Sequence, residues 1–229
     1  MATIRDVTQA YTAAGDTVTI TTPTGATTGD ILIAVVSSDI ATGNITAGAA
    51  GWTEERDGDD SGAQLRMAVY SRVLAAAPDA NYAFTNTDSV GNIMGVLYAV
   101  NPNGDTFEAV VAGTLNAVNT NATAATDAVT GVANPSVLLS VFAADDTTTV
   151  LTAPADMDLQ EFVDGSSMDM AAYSQIDPGE GSLVRTIIWA GVTDTLCVSV
   201  LLDFASSGPS PMALVGTMIG PDFGMIGSS

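Results

Sequence analysis

Two stretches decide the fold: Ile31-Leu32-Ile33-Ala34-Val35-Val36-Ser37-Ser38-Asp39 and Val137-Leu138-Leu139-Ser140-Val141-Phe142-Ala143-Ala144-Asp145. Each is a short apolar run rich in aliphatic residues, and each gives way to small residues and an aspartate. Runs of this length, bounded by turn residues, predict strands rather than helices. The two runs align position by position at an offset of 106 residues. Two more blocks follow in the same order. Met67-Ala68-Val69-Tyr70-Ser71-Arg72-Val73 aligns with Met170-Ala171-Ala172-Tyr173-Ser174-Gln175-Ile176 at an offset of 103. Gly95-Val96-Leu97-Tyr98-Ala99-Val100 aligns with Ser199-Val200-Leu201-Leu202-Asp203-Phe204 at 104. Three blocks in one order at nearly one offset mark an internal repeat.

The blocks lie in strands predicted at Asp30–Ser38, Leu65–Leu74, Ile93–Val100, Ser136–Ala144, Asp169–Ile176 and Thr195–Phe204, and further strands are predicted at Thr17–Thr22, Asn81–Thr85, Phe107–Val111, Leu159–Val163 and Leu183–Trp189. Turn pairs separate them: Thr24-Gly25, Gly43-Asn44, Asp57-Gly58, Pro78-Asp79, Asn103-Gly104, Asp164-Gly165 and Pro178-Gly179. Glycine and asparagine tolerate positive φ, and proline pre-sets the first turn angle. No long segment has a 3.6-residue period, and Val73 to Ala80 offers one helical turn at most. Many short strands at regular spacing make the chain all-β.

The repeat fits two tandem domains or two halves of one pseudo-symmetric sandwich. The short Pro102–Gly104 junction, with about five predicted strands per half, favours the second. The expectation is therefore a jelly-roll-like β-sandwich over residues 1–205, with pseudo-repeats at about 16–104 and 126–205. A strand near Ile4 to Tyr11 is expected to pair with a sheet edge, and Gly113–Thr126 reads as a loop or a polar strand.

Residues 206–229 lie beyond the repeat. Pro209 and Pro211 break any strand there, and Met212, Leu214, Met218, Ile219, Phe223, Met225 and Ile226 make an apolar C-terminal arm. Apolar residues beyond a finished core dock on something. They cover an open end of the same sandwich, dock on a neighbouring subunit, or stay loose.

Composition excludes much chemistry. The chain has 229 residues, 47% of them hydrophobic, with 26 acids against five bases and a formal charge of −21. All five bases are arginine, and neither lysine nor histidine occurs. A Ser-His-Asp triad, a Schiff-base lysine and an imidazole metal ligand are thereby excluded. Cys197 is the single cysteine, so no intrachain disulfide forms, and its strand context reads as a buried small hydrophobe rather than a reactive thiol. Five scattered arginines on so acidic a chain do not bind nucleic acid or an anionic membrane. The acidity serves solubility, or fits a saline setting where salt screens self-repulsion. Met1 to Thr8 lacks a basic region followed by an apolar one, so the expectation is synthesis in a cytoplasm without a signal peptide.

Candidate sites are few. Asp57-Gly58-Asp59-Asp60-Ser61-Gly62 has the alternating oxygens of a calcium loop, with Asp57, Asp59 and Ser61 as ligands. Its twelfth position is Ala68 instead of a bidentate glutamate, so a solvated hairpin turn is the competing reading. Trp52 follows a glycine at a strand entrance and is the candidate ligand-facing aromatic. Together with Tyr70, Tyr173 and Trp189 it forms the raw material of a sugar-stacking platform, against which stands core packing of the two repeat-matched tyrosines. No carboxylate pair sits in a glycosidase motif.

Thr28-Gly29-Asp30-Ile31-Leu32-Ile33-Ala34-Val35, then Gly51-Trp52-Thr53, then Val69-Tyr70-Ser71-Arg72-Val73, resembles a family of β-sandwich virion proteins of tailed bacteriophages. The resemblance spans roughly residues 16–204. It implies a non-enzymatic virion structural protein with no cofactor, on the capsid exterior or the tail. Its partners would be the major capsid protein or another virion protein and further copies of itself, with a trimer expected. A capsid decoration (cement) protein is the leading expectation, and a minor tail protein or adhesin module that binds host carbohydrate is the alternative.

Overall fold

The computed structural model describes residues 1–59, 64–88, 91–132, 134–146 and 148–205, and every regular element in them is a β-strand. The first half runs β1 (Thr3–Gly15), β2 (Thr17–Thr21), β3 (Ile31–Ser38), β4 (Ile45–Ala47), β5 (Thr53–Asp59), β6 (Arg66–Val73), β7 (Asn81–Asn86) and β8 (Gly91–Asn101). The second half runs β9 (Thr106–Ala112), β10 (Asn116–Ala125), β11 (Val129–Gly131), β12 (Ser136–Ala144), β13 (Val150–Thr152), β14 (Asp158–Asp164), β15 (Asp169–Ile176), β16 (Gly181–Leu183) and β17 (Thr186–Ala205). The protein is an all-β sandwich.

Each half builds one central antiparallel sheet. The strand orders are β1-β8-β3-β6-β5 and β10-β17-β12-β15-β14, with β9 beside the C-terminal part of β17. Among the described residues every ladder lies within one half. The strands match in order: β3 with β12, β6 with β15, β5 with β14 and β8 with the C-terminal part of β17, and β1 matches β9, since Ile4 stands opposite Val100 as Val110 stands opposite Leu202. Ile31 stands opposite Val73 and Val100; Val137 stands opposite Ile176 and Leu202. The first two repeat blocks therefore hold at offsets of 106 and 103 residues, and the third is corrected. Val100 corresponds to Leu202, not to Phe204. A shift of two residues keeps every side chain on its face, so the apolar pattern alone does not resist it.

Even an irregularity repeats. β5 slips past β6 at Glu55, between the Glu54–Tyr70 and Arg56–Val69 pairs. β14 slips past β15 at Gln160, between Leu159–Tyr173 and Glu161–Ala172. Such bulges bend an edge strand and raise its twist.

Alternation along the central strands sorts the core. Ile31, Ile33 and Val35 face Val137, Leu139 and Val141 in one apolar cluster between the two sheets, which also holds Tyr98 and Phe204. Leu32, Ala34 and Val36 face outward, beneath a small sheet of order β2-β7-β4. On the far side, Phe142 and Ala144 pack under β10 and β17, and Leu138 packs under the β11–β16 pair. Ser140 divides these two outer clusters; its Oγ lies 2.8 Å from Ser199 Oγ, which donates to Thr126 Oγ1 at 2.9 Å. β3 and β12 are thus covered on both faces and buried throughout, which is why they read as continuous apolar runs.

The two sheets meet about a pseudo-dyad. β1 lies against β14 and β9 against β5, while β8 lies against β15 and β17 against β6. These pairs exchange under the strand equivalence, as in an isologous dimer interface.

Several local expectations change. Asp57-Gly58 lies inside β5 rather than in a turn, because that segment pairs with β6 over its length. Gly113–Thr126 is largely the strand β10, paired with β17. Leu183–Trp189 is divided between β16 and β17. Leu74 does not open a helical turn; its N–H donates to Asp30 O at 2.9 Å. The N-terminal strand runs longer than expected and pairs with β8 at the sheet edge.

Candidate functional site

All five arginines make structural contacts. Arg5 Nε donates to Asp30 Oδ2 at 2.7 Å, and Asp30, 1% exposed, also accepts from Thr27 N at 2.8 Å. This closes the turn that feeds β3. Arg66 grips Asp57 with Nε and Nη2 at 2.8 and 2.7 Å, and reaches Ala41 O and Asn44 Oδ1. Arg72 lies 5.3 Å from the Tyr82 ring centroid and 6.0 Å from that of Trp52, with Asp79 at 3.6 Å. Arg56 Nε donates to Gly113 O at 3.1 Å, and Arg185 Nη2 to Gln175 Oε1 at 2.5 Å. The scarce cations lock the fold together, Arg5 and Arg56 between segments distant in sequence, Arg66 to near and distant partners alike, and Arg72 and Arg185 between near neighbours, and partial burial strengthens these charge-assisted bonds.

The calcium candidate falls on one of these locks. Arg66 occupies both Asp57 carboxylate oxygens, and Asp59 lies 3.9 Å from the same guanidinium. Ser61 lies outside the described residues. Among the described residues no three Asp, Glu or Cys side chains converge to hold a metal ion.

Trp52 is half-buried in the first half's flap. Its ring meets Tyr82 and Phe84 edge-on at 5.3 and 5.4 Å. Tyr70 belongs to the same cluster, whereas Tyr173 and Trp189 are buried on the opposite side of the sandwich. The four rings therefore form no shared stacking shelf. Tyr70 donates to Ile45 O and lies 3.1 Å from Glu54 Oε2; burial first, then Glu54, pushes its hydroxyl pKa up. Cys197 is fully buried, its thiol directed at Asn116 O and Ala125 O, and burial pushes its pKa up to about 12. That environment makes it inert.

Sequence reasoning missed two junctions between the halves. At one end, the Tyr11 hydroxyl donates to Asn92 Oδ1 at 2.9 Å and accepts from Ser166 N at 3.0 Å. Asn92 Nδ2 donates to Asp39 Oδ2 and Ser167 Oγ, both at 2.5 Å. The Asp39 signal was in the repeat itself, where an aspartate closes each central strand. Beside this junction lies a cleft of about 490 Å³ lined by Asp164 and Asp169. Burial raises the Asp169 pKa, against the pull of its bonds from Thr148 N and Gly165 N. The second junction is a cleft of about 380 Å³ between β1 and β14, lined by Arg5, Asp6, Asp158, Gln160, Glu161 and Ser174 among others. Burial first, then the Asp6 charge, raises the Glu161 pKa.

The apolar arm, with Met212, Leu214, Met218, Ile219, Phe223, Met225 and Ile226, lies outside the described residues. Comparison with protein-family models, with curated proteins and with solved structures finds no match.

Proposed function

We propose that this chain is a non-enzymatic structural protein of a virion, a decoration (cement) protein bound to a phage capsid. One observation carries the reading: the segments that resemble phage virion sandwiches assemble into one structural unit. Gly29, at φ 93°, closes the turn before β3 with its N–H on Leu74 O at 2.7 Å. Gly51, at φ 89°, brings Trp52 under the Arg72 guanidinium, and Tyr70 fills the cluster beneath. These segments account for architecture, not for a reacting group, and the ionic groups around them are engaged in holding the fold.

A cement protein acts by bridging. When it contacts several capsid subunits at once, those contacts must all break before the shell opens, so modest individual affinities give a large effective one. In this reading the apolar arm supplies a contact to the major capsid protein or to a neighbouring copy, in a homo-oligomer that we take to be a trimer. The test is copy number in purified particles, by quantitative mass spectrometry against the major capsid protein. Hundreds of copies are expected. A handful of copies assigns the chain to the tail, as a minor tail protein or adhesin, and none at all overturns the reading.

A further inference from the structure

The two halves are joined along two pseudo-equivalent seams, β5 against β9 and β14 against β1. The position just past the repeated bulge faces each seam. It is Arg56 in β5, opposite Val69, and Glu161 in β14, opposite Ala172. Val69 and Ala172 are themselves equivalent in the repeat. On the first seam Arg56 reaches across the halves and donates to Gly113 O at 3.1 Å. On the second, the same position holds a residue that donates only when protonated.

What Glu161 faces sharpens the contrast. It shares the β1–β14 cleft with Asp6 of β1, whose Oδ2 accepts from Thr24 N at 2.7 Å. Arg5 on the same strand is turned to Asp30 and Thr27. Asp158, on Glu161's own strand, adds another acid. The buried Tyr98 hydroxyl, from β8, points at Tyr173 O at 3.4 Å. Ser174, only 4% exposed, lines the cleft from β15. Its equivalent, Ser71, donates to the bulge residue Glu55 at 2.5 Å on the other seam.

We propose that Glu161 is a proton-operated latch between the two halves. Carrying a proton taken from solvent, it presents a hydrogen-bond donor at the β1–β14 seam, as Arg56 does permanently at the other, where it donates to Gly113 O. Ionised, it adds a like charge to the cleft that Asp6 and Asp158 line, and the seam is left with its packing and the Tyr11–Ser166 hydrogen bond at its end. The raised Glu161 pKa agrees in sign: a carboxyl that binds its proton more tightly when folded adds stability at low pH, which is lost as pH rises through the folded value.

The test is thermal unfolding of the wild type, E161Q, E161R and D6N from neutrality to about pH 5. The wild-type Tm should rise on acidification. E161Q carries a permanent donor, so at neutrality its Tm should exceed the wild type by about 2–4 °C, and its rise with acid should shrink by the same amount. E161R, which restores the donor of the other seam, should behave likewise. D6N removes the facing charge and should move the wild-type rise to lower pH. Asp169 titrates alike in wild type and E161Q, so their difference isolates Glu161. Superposable wild-type and E161Q profiles overturn the latch, and so does a neutral-pH Tm below wild type for both E161Q and E161R.

Discussion

Leu138 and Leu139 are neighbours on β12, both with no exposed surface, and they face opposite ways. Leu139 lies in the cluster between the two central sheets, which holds both halves together. Leu138 lies in a small cluster with Val129, Leu183 and Leu201 under the β11–β16 pair. Truncation to alanine removes the same atoms from each, so transfer free energy does not distinguish them. The cavity does, because its cost depends on how far the surroundings collapse. Leu139 is walled by two central sheets that are packed on both faces and cannot settle. We expect Leu139→Ala to cost about 4–5 kcal/mol, near the top of the range for such substitutions. The lid over Leu138 is two three-residue strands that can sink inward, so Leu138→Ala should cost about 2–3 kcal/mol. For a chain of this size these are Tm losses of about 8–20 °C and about 4–12 °C. Differential scanning calorimetry and urea unfolding measure both, with unchanged m-values confirming that stability alone moved. Equal or inverted costs would refute the assignment of faces. A second calorimetric transition, moved by only one of the variants, would show that the halves unfold apart.

Four other outcomes are expected. Arg66→Met strands the Asp57 carboxylate, 9% exposed at its side chain, and should cost about 3–5 kcal/mol, while Arg66→Met with Asp57→Leu recovers most of it in urea unfolding. Because Arg66 occupies Asp57, a chelator should leave the Tm unchanged, and a drop of several degrees would reveal a structural cation. Residues 1–104 and 105–229 expressed separately each expose the inner face of a central sheet, so neither should give a soluble chain with a cooperative transition; two stable fragments would refute the shared core. Truncation after Ser207 should leave the Tm in place and abolish oligomerisation or particle binding; unfolding of the truncated monomer would instead make the arm part of its own core.

The strands buried on both faces were the legible ones. Ser136–Ala144 and Asp169–Ile176 are β12 and β15 to the residue, because buried apolar residues dominate both and the serines among them, Ser140 and Ser174, are small enough to be buried too. β5 showed only its entrance at Trp52, and its extent was invisible for the opposite reason. Thr53-Glu54-Glu55-Arg56-Asp57-Gly58-Asp59 has the composition of a loop, yet charge is what keeps an exposed edge strand from pairing with another chain. Its repeat mate β14 was found only because Phe162 and Val163 remain in it. β4, β11 and β13 have three residues each, too few to show any period. The arginine locks were illegible altogether: Arg5 and Asp30 are 25 residues apart, and nothing local in either segment requires the other.

The repeat is most informative where its two copies part. Gly95 and Cys197 occupy one position of the shared topology. At Gly95 a Cβ would lie 2.9 Å from Ile20 Cδ1 and 3.1 Å from Val36 Cγ2, so the aromatic-lined flap closes directly on the strand. At Cys197 the outer strand stands further off, and a thiol fills the gap toward two carbonyls. The first half therefore has a separate three-stranded cover, β2-β7-β4, whereas in the second the cover over Phe142 and Ala144 is the first part of β17 held between β10 and β13, with the β11–β16 pair beside it. The exposed large apolar side chains divide the same way: Val111, Leu151, Leu159, Ile176 and Val184 in the second half, against Met1 and Val73 in the first. Duplicated halves folding by one rule need not differ in cover or in exposed surface. In the proposed virion role that difference has a direction: the half with more exposed apolar side chains suits a partner, and the other suits solvent.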